Sequence, residues 1–492
     1  MPRLLPADCL NEIFECLEDD KITLHSCLLV NRLYCEIAVR ILWRNVWNFK
    51  YNLQYISRVS SSIIGTLISC LPKESKELLH KNGIFIVART QKSPFFNYPS
   101  FCKVLSIHKI DQIIQYTLET QQSINNLRSM NYIKYLFSQE IFKMFMNQIS
   151  SLKSLDYYSE ESKNIQNIMI IYFPGAENCL TYLTELNCSS DVYPEFFYQI
   201  SQLCHNIKSI TIDFEDVISD GLIELISLQK NLKNLKLISN NYGGTENFTS
   251  SLTKSSLTLT RLIIMQYHIP LTFISVFKNL QELVLSFDYR DSFYDFNVLQ
   301  YISFPHLKVL KFLFAIPRID ILIKFLEING KNLTEFHVGD HDNSLNLAVA
   351  KFCPSIKILF TLFKENELET LKTILNNCQY LENIKIWCGD DYLNDKELLN
   401  VLVNHSPKYF HELGIFYCSI NKSSIILPKE LDEFFMNWKN RLTQESISLT
   451  IYKNFDGIGL DANLENMEII NKYMKMGLIA KFTTKEYDYF EY

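Results

Sequence analysis

One spacing constrains this chain more than any other feature: apolar residues recur as L-x-x-L-x-L at a nearly fixed interval. The clearest copies are Ile207-x-x-Ile210-x-Ile212, Leu232-x-x-Leu235-x-Leu237, Leu259-x-x-Leu262-x-Ile264 and Leu280-x-x-Leu283-x-Leu285. They continue as Leu307-x-x-Leu310-x-Phe312, Leu333-x-x-Phe336-x-Val338, Ile356-x-x-Leu359-x-Thr361 and Leu381-x-x-Ile384-x-Ile386, with weaker copies starting at Leu152, Leu183 and Phe410. Successive starts from 183 to 410 differ by 24, 25, 27, 21, 27, 26, 23, 25 and 29 residues. Side chains alternate along a strand, so the last apolar positions of each copy share one face. The residues between copies read as returning helices, in windows such as Asp220 to Gln229, Asp320 to Ile328 and Asn366 to Leu375. No such unit buries its apolar face alone, so the units must stack. Two fainter copies, Cys102-x-x-Leu105-x-Ile107 and Leu127-x-x-Met130-x-Tyr132, keep the register at 25-residue steps before Leu152.

This period resembles the leucine-rich repeat, which implies an α/β fold built as a curved solenoid. We divide the chain into an N-terminal helical module over 1–47 and helices over 48–100 that pack on the solenoid. The solenoid itself covers 101–440, and 441–492 forms a C-terminal cap with a strand-like Ser446 to Tyr452 and a helix-like Asn463 to Met476.

In the first 47 residues, Leu10, Ile13, Phe14 and Leu17 fall at i, i+3, i+4 and i+7, one helical stripe. Pro6 suits a first helical turn and Asp8 favours the positive end of the helix dipole. A second short helix is expected around Thr23 to Leu29, and a third with Val30, Leu33, Tyr34, Ile37, Ala38 and Ile41 on one face. Three short helices bury only a small core, so the apolar excess points to a surface meant for another protein.

These residues resemble the F-box: Leu5-Pro6-Ala7-Asp8-x-Leu10-x-x-Ile13-Phe14-x-x-Leu17, then Leu28-Leu29-Val30-Asn31-Arg32, then Leu42-Trp43. Asp8 stands where the family favours Glu, and the proline common after the first helix is missing. The resemblance implies docking to a Skp-type adaptor, and through it to a cullin and a RING subunit of a ubiquitin ligase. It assigns adaptor contact to Leu5, Pro6, Leu10, Ile13, Phe14, Val30 and Trp43, some of them shared with the module's own core. Cys204, Cys353 and Cys378 each stand three residues ahead of a repeat's first apolar position, similar to the cysteine-containing repeats of F-box proteins.

On the strands, residues alternating with the repeat leucines face the concave side and are unusually apolar from about 259 to 420. They include Ile263, Met265, Val284, Val309, Leu313, Ile358, Phe360, Leu362, Trp387 and Phe416. Asp288-Tyr289-Arg290-Asp291, Asp340-His341-Asp342 and Asp390-Asp391-Tyr392 lie just beyond the strands. An apolar patch rimmed by polar groups is the pattern of a protein-binding site. We therefore expect Leu313, Phe360, Leu362, Trp387 and Phe416, with Asp288, Asp340 and Asp390, to meet a protein client.

Composition excludes several other classes. The chain has 492 residues, 47% hydrophobic and 21% charged, which is wrong for disorder. A net charge of -6 gives no reason to expect nucleic acid as a partner, and no cluster of Arg and Lys announces phosphate recognition. No apolar run reaches the ~18 residues that span a bilayer, and no secretory signal is visible. The 13 cysteines, an odd number, are expected as free thiols in the cytoplasm or nucleus. No nucleotide-binding loop, zinc-binding helix or nucleophile elbow occurs, so neither catalysis, a cofactor nor a metal is expected. The expected role is a substrate receptor of a Skp–cullin–F-box ligase; the alternatives are a non-ligase scaffold, or a repeat protein that regulates an enzyme.

Overall fold

The computed structural model describes residues 5–47, 53–84, 94–120, 130–158, 169–215, 217–239, 246–255, 257–389, 391–417, 426–441, 446–453 and 459–486. The chain forms two compact units, Met1–Asn234 and Leu235–Tyr492.

The first unit starts with three short helices, α1 (Ala7–Glu15), α2 (Lys21–Cys27) and α3 (Arg32–Leu42). Pro6 sits just before α1 rather than in its first turn, and its carbonyl accepts the first helical bond from Leu10 N–H. Asp20 caps α2 by accepting from Thr23 N–H at 3.0 Å, and Asn31 caps α3 by accepting from Tyr34 N–H at 2.9 Å. The cap at Asn31 is why α3 begins after Val30 and leaves that valine outside the helix. Helices α4 (Leu53–Cys70) and α5 (Lys73–Lys81) follow.

Four parallel strands come next: β1 (Val104–Ser106), β2 (Ser154–Tyr157), β3 (Glu185–Ser189) and β4 (Ser209–Phe214). They pair in chain order, with Leu105, Leu155, Leu186 and Ile210 in one cross-strand row. The faint copy at Leu127 is corrected here. Leu127 lies outside the described residues, while Met130 and Tyr132 belong to a helix, and β1 pairs directly with β2. The 50-residue step between Val104 and Ser154 spans two repeat lengths but holds α6 (Ile107–Thr120) and α7 (Met130–Gln148). Buried Phe137, Ile141 and Phe145 fix α7 at helical spacing. Helices α8 (Ala176–Leu180), α9 (Pro194–Leu203) and α10 (Asp220–Leu228) return the chain after β2, β3 and β4.

At each strand's start, one carbonyl accepts two N–H groups from the next repeat. Lys103 O takes those of Lys153 and Ser154, Lys153 O those of Thr184 and Glu185, and Thr184 O those of Lys208 and Ser209. The series begins ahead of the first repeat, because Arg44 O accepts from Lys103 N at 2.9 Å and Val104 N at 3.1 Å. The Trp47 indole N–H donates to Val104 O at 2.8 Å. The segment after α3 thus covers the edge of β1 that would otherwise lie unpaired.

In the second unit the strands are β5 (Asn234–Ser239, its first residue in the unit before), β6 (Arg261–Met265), β7 (Glu282–Ser286), β8 (Val309–Phe312) and β9 (Glu335–Val338). They continue as β10 (Ile358–Thr361), β11 (Asn383–Cys388), β12 (Glu412–Tyr417), β13 (Ile447–Lys453) and β14 (Ile479–Glu486), each from β6 onward parallel to the next. The helices are α11 (Glu246–Leu252), α12 (Ile319–Asn329), α13 (Asn343–Phe352), α14 (Leu368–Asn377), α15 (Asp395–His405), α16 (Pro428–Lys439) and α17 (Leu464–Lys475). Between β6 and β8 the returns are 3-10 turns, at Leu271–Val276, Arg290–Phe293 and Phe296–Tyr301, where helices were expected. The first of these turns lies in the shortest step, the 21 residues from Leu259 to Leu280, and the other two lie in the 27-residue step that follows.

At several junctions buried polar side chains tie a repeat to the one before. Gln229 donates to Cys204 O and accepts from Ile207 N–H, and Asn329 donates to Ile302 O and accepts from Phe304 N–H. The Cys204 thiol donates to Leu180 O at 3.1 Å. Burial pushes the Cys204, Cys353 and Cys378 thiols up, so they stay neutral and act as small fillers. At the far end Asp395, almost fully buried, accepts from the Tyr417 hydroxyl at 2.7 Å, and burial pushes its carboxyl up to about 6.

That shift has a sign. The folded state takes up the Asp395 proton before the unfolded chain does, so this group adds stability as pH falls through about 6 and stops adding below the unfolded value of about 4. His337 acts oppositely, since burial holds its imidazole neutral well below its ordinary value. We therefore expect urea titrations at pH 7.5 and 5 to show the wild type gaining about 1 kcal/mol relative to Asp395→Asn. Parallel pH profiles for the two proteins would contradict the assignment.

Candidate functional site

The N-terminal module separates its apolar residues sharply. Leu10, Phe14, Leu24, Ile37, Ala38 and Ile41 form its core, with Leu10 and Phe14 only 2% and 3% exposed. Ile13 and Val30 are 48% and 61% exposed, and Leu5, Ile22 and Leu29 are exposed with them. Leu5, Pro6, Ile13 and Val30 therefore remain available for docking, whereas Leu10 and Phe14 shape the module from inside. Trp43 is half-buried against Tyr98, ring centroids 4.7 Å apart. It packs the module onto the segment before β1.

Arg44 locks this end of the module. Its guanidinium makes paired hydrogen bonds to the Glu15 carboxylate and lies 3.8 Å from Glu18. The hydrogen bonds from Arg44 hold the Glu15 carboxyl below its ordinary value. Arg44 thus joins α1 through its side chain and β1 through its carbonyl. Sequence reading passed over it, although its place directly after Leu42-Trp43 was a signal.

The second candidate is the strand face opposite the helices in the second unit. Leu313 packs there with Ile263 and Val284, flanked by Met265 and Phe314. Phe360, Leu362 and Phe416 form a cluster with Trp387, Tyr392 and Tyr452. The open apolar patch expected from the sequence is corrected: Leu313, Phe360, Leu362 and Phe416 are buried, Phe360 and Phe416 at 2% and 1% exposed. Parallel pairing puts Trp387, Phe416 and Tyr452 in one row on adjacent strands. Rings so placed cover one another. Phe416 stacks on Tyr452 at 4.2 Å and on Trp387 at 5.4 Å, meets Phe360 edge-on at 5.1 Å, and His337 stacks on Phe360 at 3.9 Å. Gly414 makes the space: a Cβ there would sit 3.0 Å from Lys385 Cγ and 3.2 Å from the Tyr452 ring. What remains accessible is a platform edged by half-buried Trp387, Tyr392 and Tyr452.

The acidic residues beside this face hold loops together. Asp288 accepts from the Gln266 side chain at 2.7 Å, and Asp340 accepts from Arg290 at 2.6 Å. Asp342 caps α13 by accepting from Leu345 N–H at 2.9 Å, and His341 pairs with Glu367 at 2.7 Å. Asp390 lies outside the described residues.

The sequence matches no family profile, and no curated protein matches it. Among solved structures, it is similar to a crystal structure of a Rad7 and Elc1 complex in yeast, at 12% identity and a TM-score of 0.39, covering 83% of this chain and 88% of that one. It is also similar to the leucine-rich repeat-containing protein LegL7 from Legionella pneumophila, at 13% identity and a TM-score of 0.32, covering 65% of this chain and 90% of that one.

Because Phe416 is a buried ring, Phe416→Ala is expected to lower unfolding stability by about 3 kcal/mol or more in a urea titration. Trp387→Ala, at a half-exposed site, is expected to cost less. Equal midpoints for Phe416→Ala and the wild type would mean that the face is open after all.

Proposed function

We propose that this chain is the substrate receptor of a Skp–cullin–F-box ubiquitin ligase, acting in the cytoplasm or nucleus. The observation that carries the reading is the split within the N-terminal module. A bundle of about 40 residues leaves Leu5, Ile13, Ile22, Leu29 and Val30 exposed while keeping a complete core of its own. Exposed apolar side chains at that density are unfavourable unless a partner covers them. The F-box pattern of the same residues names the partner as a Skp-type adaptor.

On this reading the repeats of the second unit recruit a protein client, with the Trp387, Tyr392 and Tyr452 platform as the contact. The chain then makes and breaks no bond. Its contribution is proximity: docking at one end and capture at the other hold the client near the conjugating enzyme.

The test is capture of a recombinant Skp-type adaptor by the full chain. Ile13→Asp combined with Val30→Asp should weaken capture at least tenfold, since buried interface anchors commonly contribute ~2 kcal/mol each. Both side chains are exposed, so the thermal midpoint should move by no more than a few degrees. Undiminished capture by the double variant would refute adaptor docking through this face. If the adaptor binds but neither cullin nor client ubiquitination follows in a reconstituted reaction, the chain is a non-ligase scaffold.

A further inference from the structure

The residue at the start of each strand, second in the L-x-x-L-x-L motif, supplies the carbonyl that links successive repeats. In the first unit that position holds Lys103, Lys153, Thr184, Lys208 and Lys233, each bonded through its backbone to the next. These residues span 130 positions of sequence, which is why no basic cluster was visible there. The fold brings them into one row. Neighbouring strands lie about 4.8 Å apart, so the row runs for roughly 19 Å.

The repeat does not require a cation at this position. In the second unit Thr260, Gln281, Lys308, Thr334, Lys357, Glu382 and His411 hold equivalent places, so only two of these seven are lysines. Lys357, one of the lysines there, is neutralised by Glu382 at 2.6 Å. In the first unit Lys153, Lys208 and Lys233 are exposed, and among the described residues no carboxylate forms an ion pair with Lys153 or Lys208. Lys103 donates to the Ser151 carbonyl and hydroxyl at 3.1 and 2.8 Å. Burial pushes its ammonium below the ordinary value, and repulsion from Lys153 and Arg44 adds to the effect. Beside the row lies an open groove of 510 Å³ lined by Ser151, Lys153, Tyr182 and Thr184.

We propose that this lysine row binds an extended acidic polypeptide segment of a partner protein. The geometry suits one chain laid along a single line of positive charge. The exposed Glu185, next to Thr184 in the middle of the row, favours peptide over nucleic acid. A peptide can place a neutral residue opposite that carboxylate, whereas a nucleic acid strand carries a phosphate at every nucleotide. The inference is independent of the ligase reading, because it involves neither the module's exposed face nor the aromatic platform.

The test is fluorescence anisotropy of a labelled oligoglutamate peptide with the full chain over a range of salt. We expect binding that weakens as salt rises and falls at least about tenfold in the triple variant Lys153→Glu, Lys208→Glu, Lys233→Glu. A charge-matched triple at exposed lysines of the second unit, Lys308→Glu, Lys331→Glu and Lys439→Glu, should stay within about twofold of wild type. Circular dichroism confirms that both variants fold, and Lys→Gln replacements at the three row positions repeat the comparison if the glutamates disturb it. The proposal is overturned by no peptide binding, by equal loss in both triples, or by oligothymidylate of matching charge binding more tightly through the same lysines.

Discussion

The structure depends on a carbonyl that accepts two N–H groups from the next repeat, a bond pattern repeated from Arg44 O through Lys208 O in the first unit and from Thr260 O through Glu382 O in the second. A stack of parallel strands has an unpaired edge where it begins, and buried backbone groups left without partners cost about 1–3 kcal/mol each. Here the edge of β1 is met by Arg44 O and the Trp47 side chain. The N-terminal module is therefore no separate bead on a tether. Its last residues occupy the place of a repeat, and the Arg44 side chain carries the connection back to α1 through Glu15. For the receptor role proposed above, such a fixed relation between the module and the repeats beside it is what action by proximity would require.

Much of this was legible because each copy of the motif uses the same three apolar positions for the same purpose. Leu155, Leu186 and Ile210 in one unit and Leu283, Leu310 and Phe336 in the other lie in register rows, as the spacing implies. The failures came where spacing was trusted over residue type. Fifty residues between β1 and β2 fit two repeats as arithmetic, but Phe137, Ile141 and Phe145 recur at helical intervals and fill that space with α7. β14 escaped notice for the opposite reason. Its Lys481, Thr483, Thr484 and Lys485 lack an apolar alternation, since only Ile479 of that edge strand is buried.

The apolar excess of the N-terminal module was legible, but not its division between core and exposed face. A stripe at i, i+3, i+4 and i+7 names a helix face without saying which of its flanks a neighbour covers. In α1 the packing of α3 covers Leu10 and Phe14 and leaves Ile13 at the margin. On the strand face the difficulty was different. Alternation shows that Trp387, Phe416 and Tyr452 share a side of the sheet; only the cross-strand register shows that they stack and bury one another.

That mutual burial bears on what the second unit can do. In the first unit the same side of the strands is polar: Asp156, Asn187 and Thr211 form one cross-strand row, with Asn187 donating to Asp156 at 2.8 Å. The fold is content with such residues, so the rings of the second unit are no requirement of the repeat. They stabilise the unit by leaving water, and they also lose their freedom before any partner arrives. A partner that meets Trp387, Tyr392 and Tyr452 meets side chains already held in place, and ordering them again costs little. A rigid aromatic platform of this kind would give a partner specificity through shape, while on the proposed reading the exposed apolar residues of the N-terminal module would give it through a few anchors.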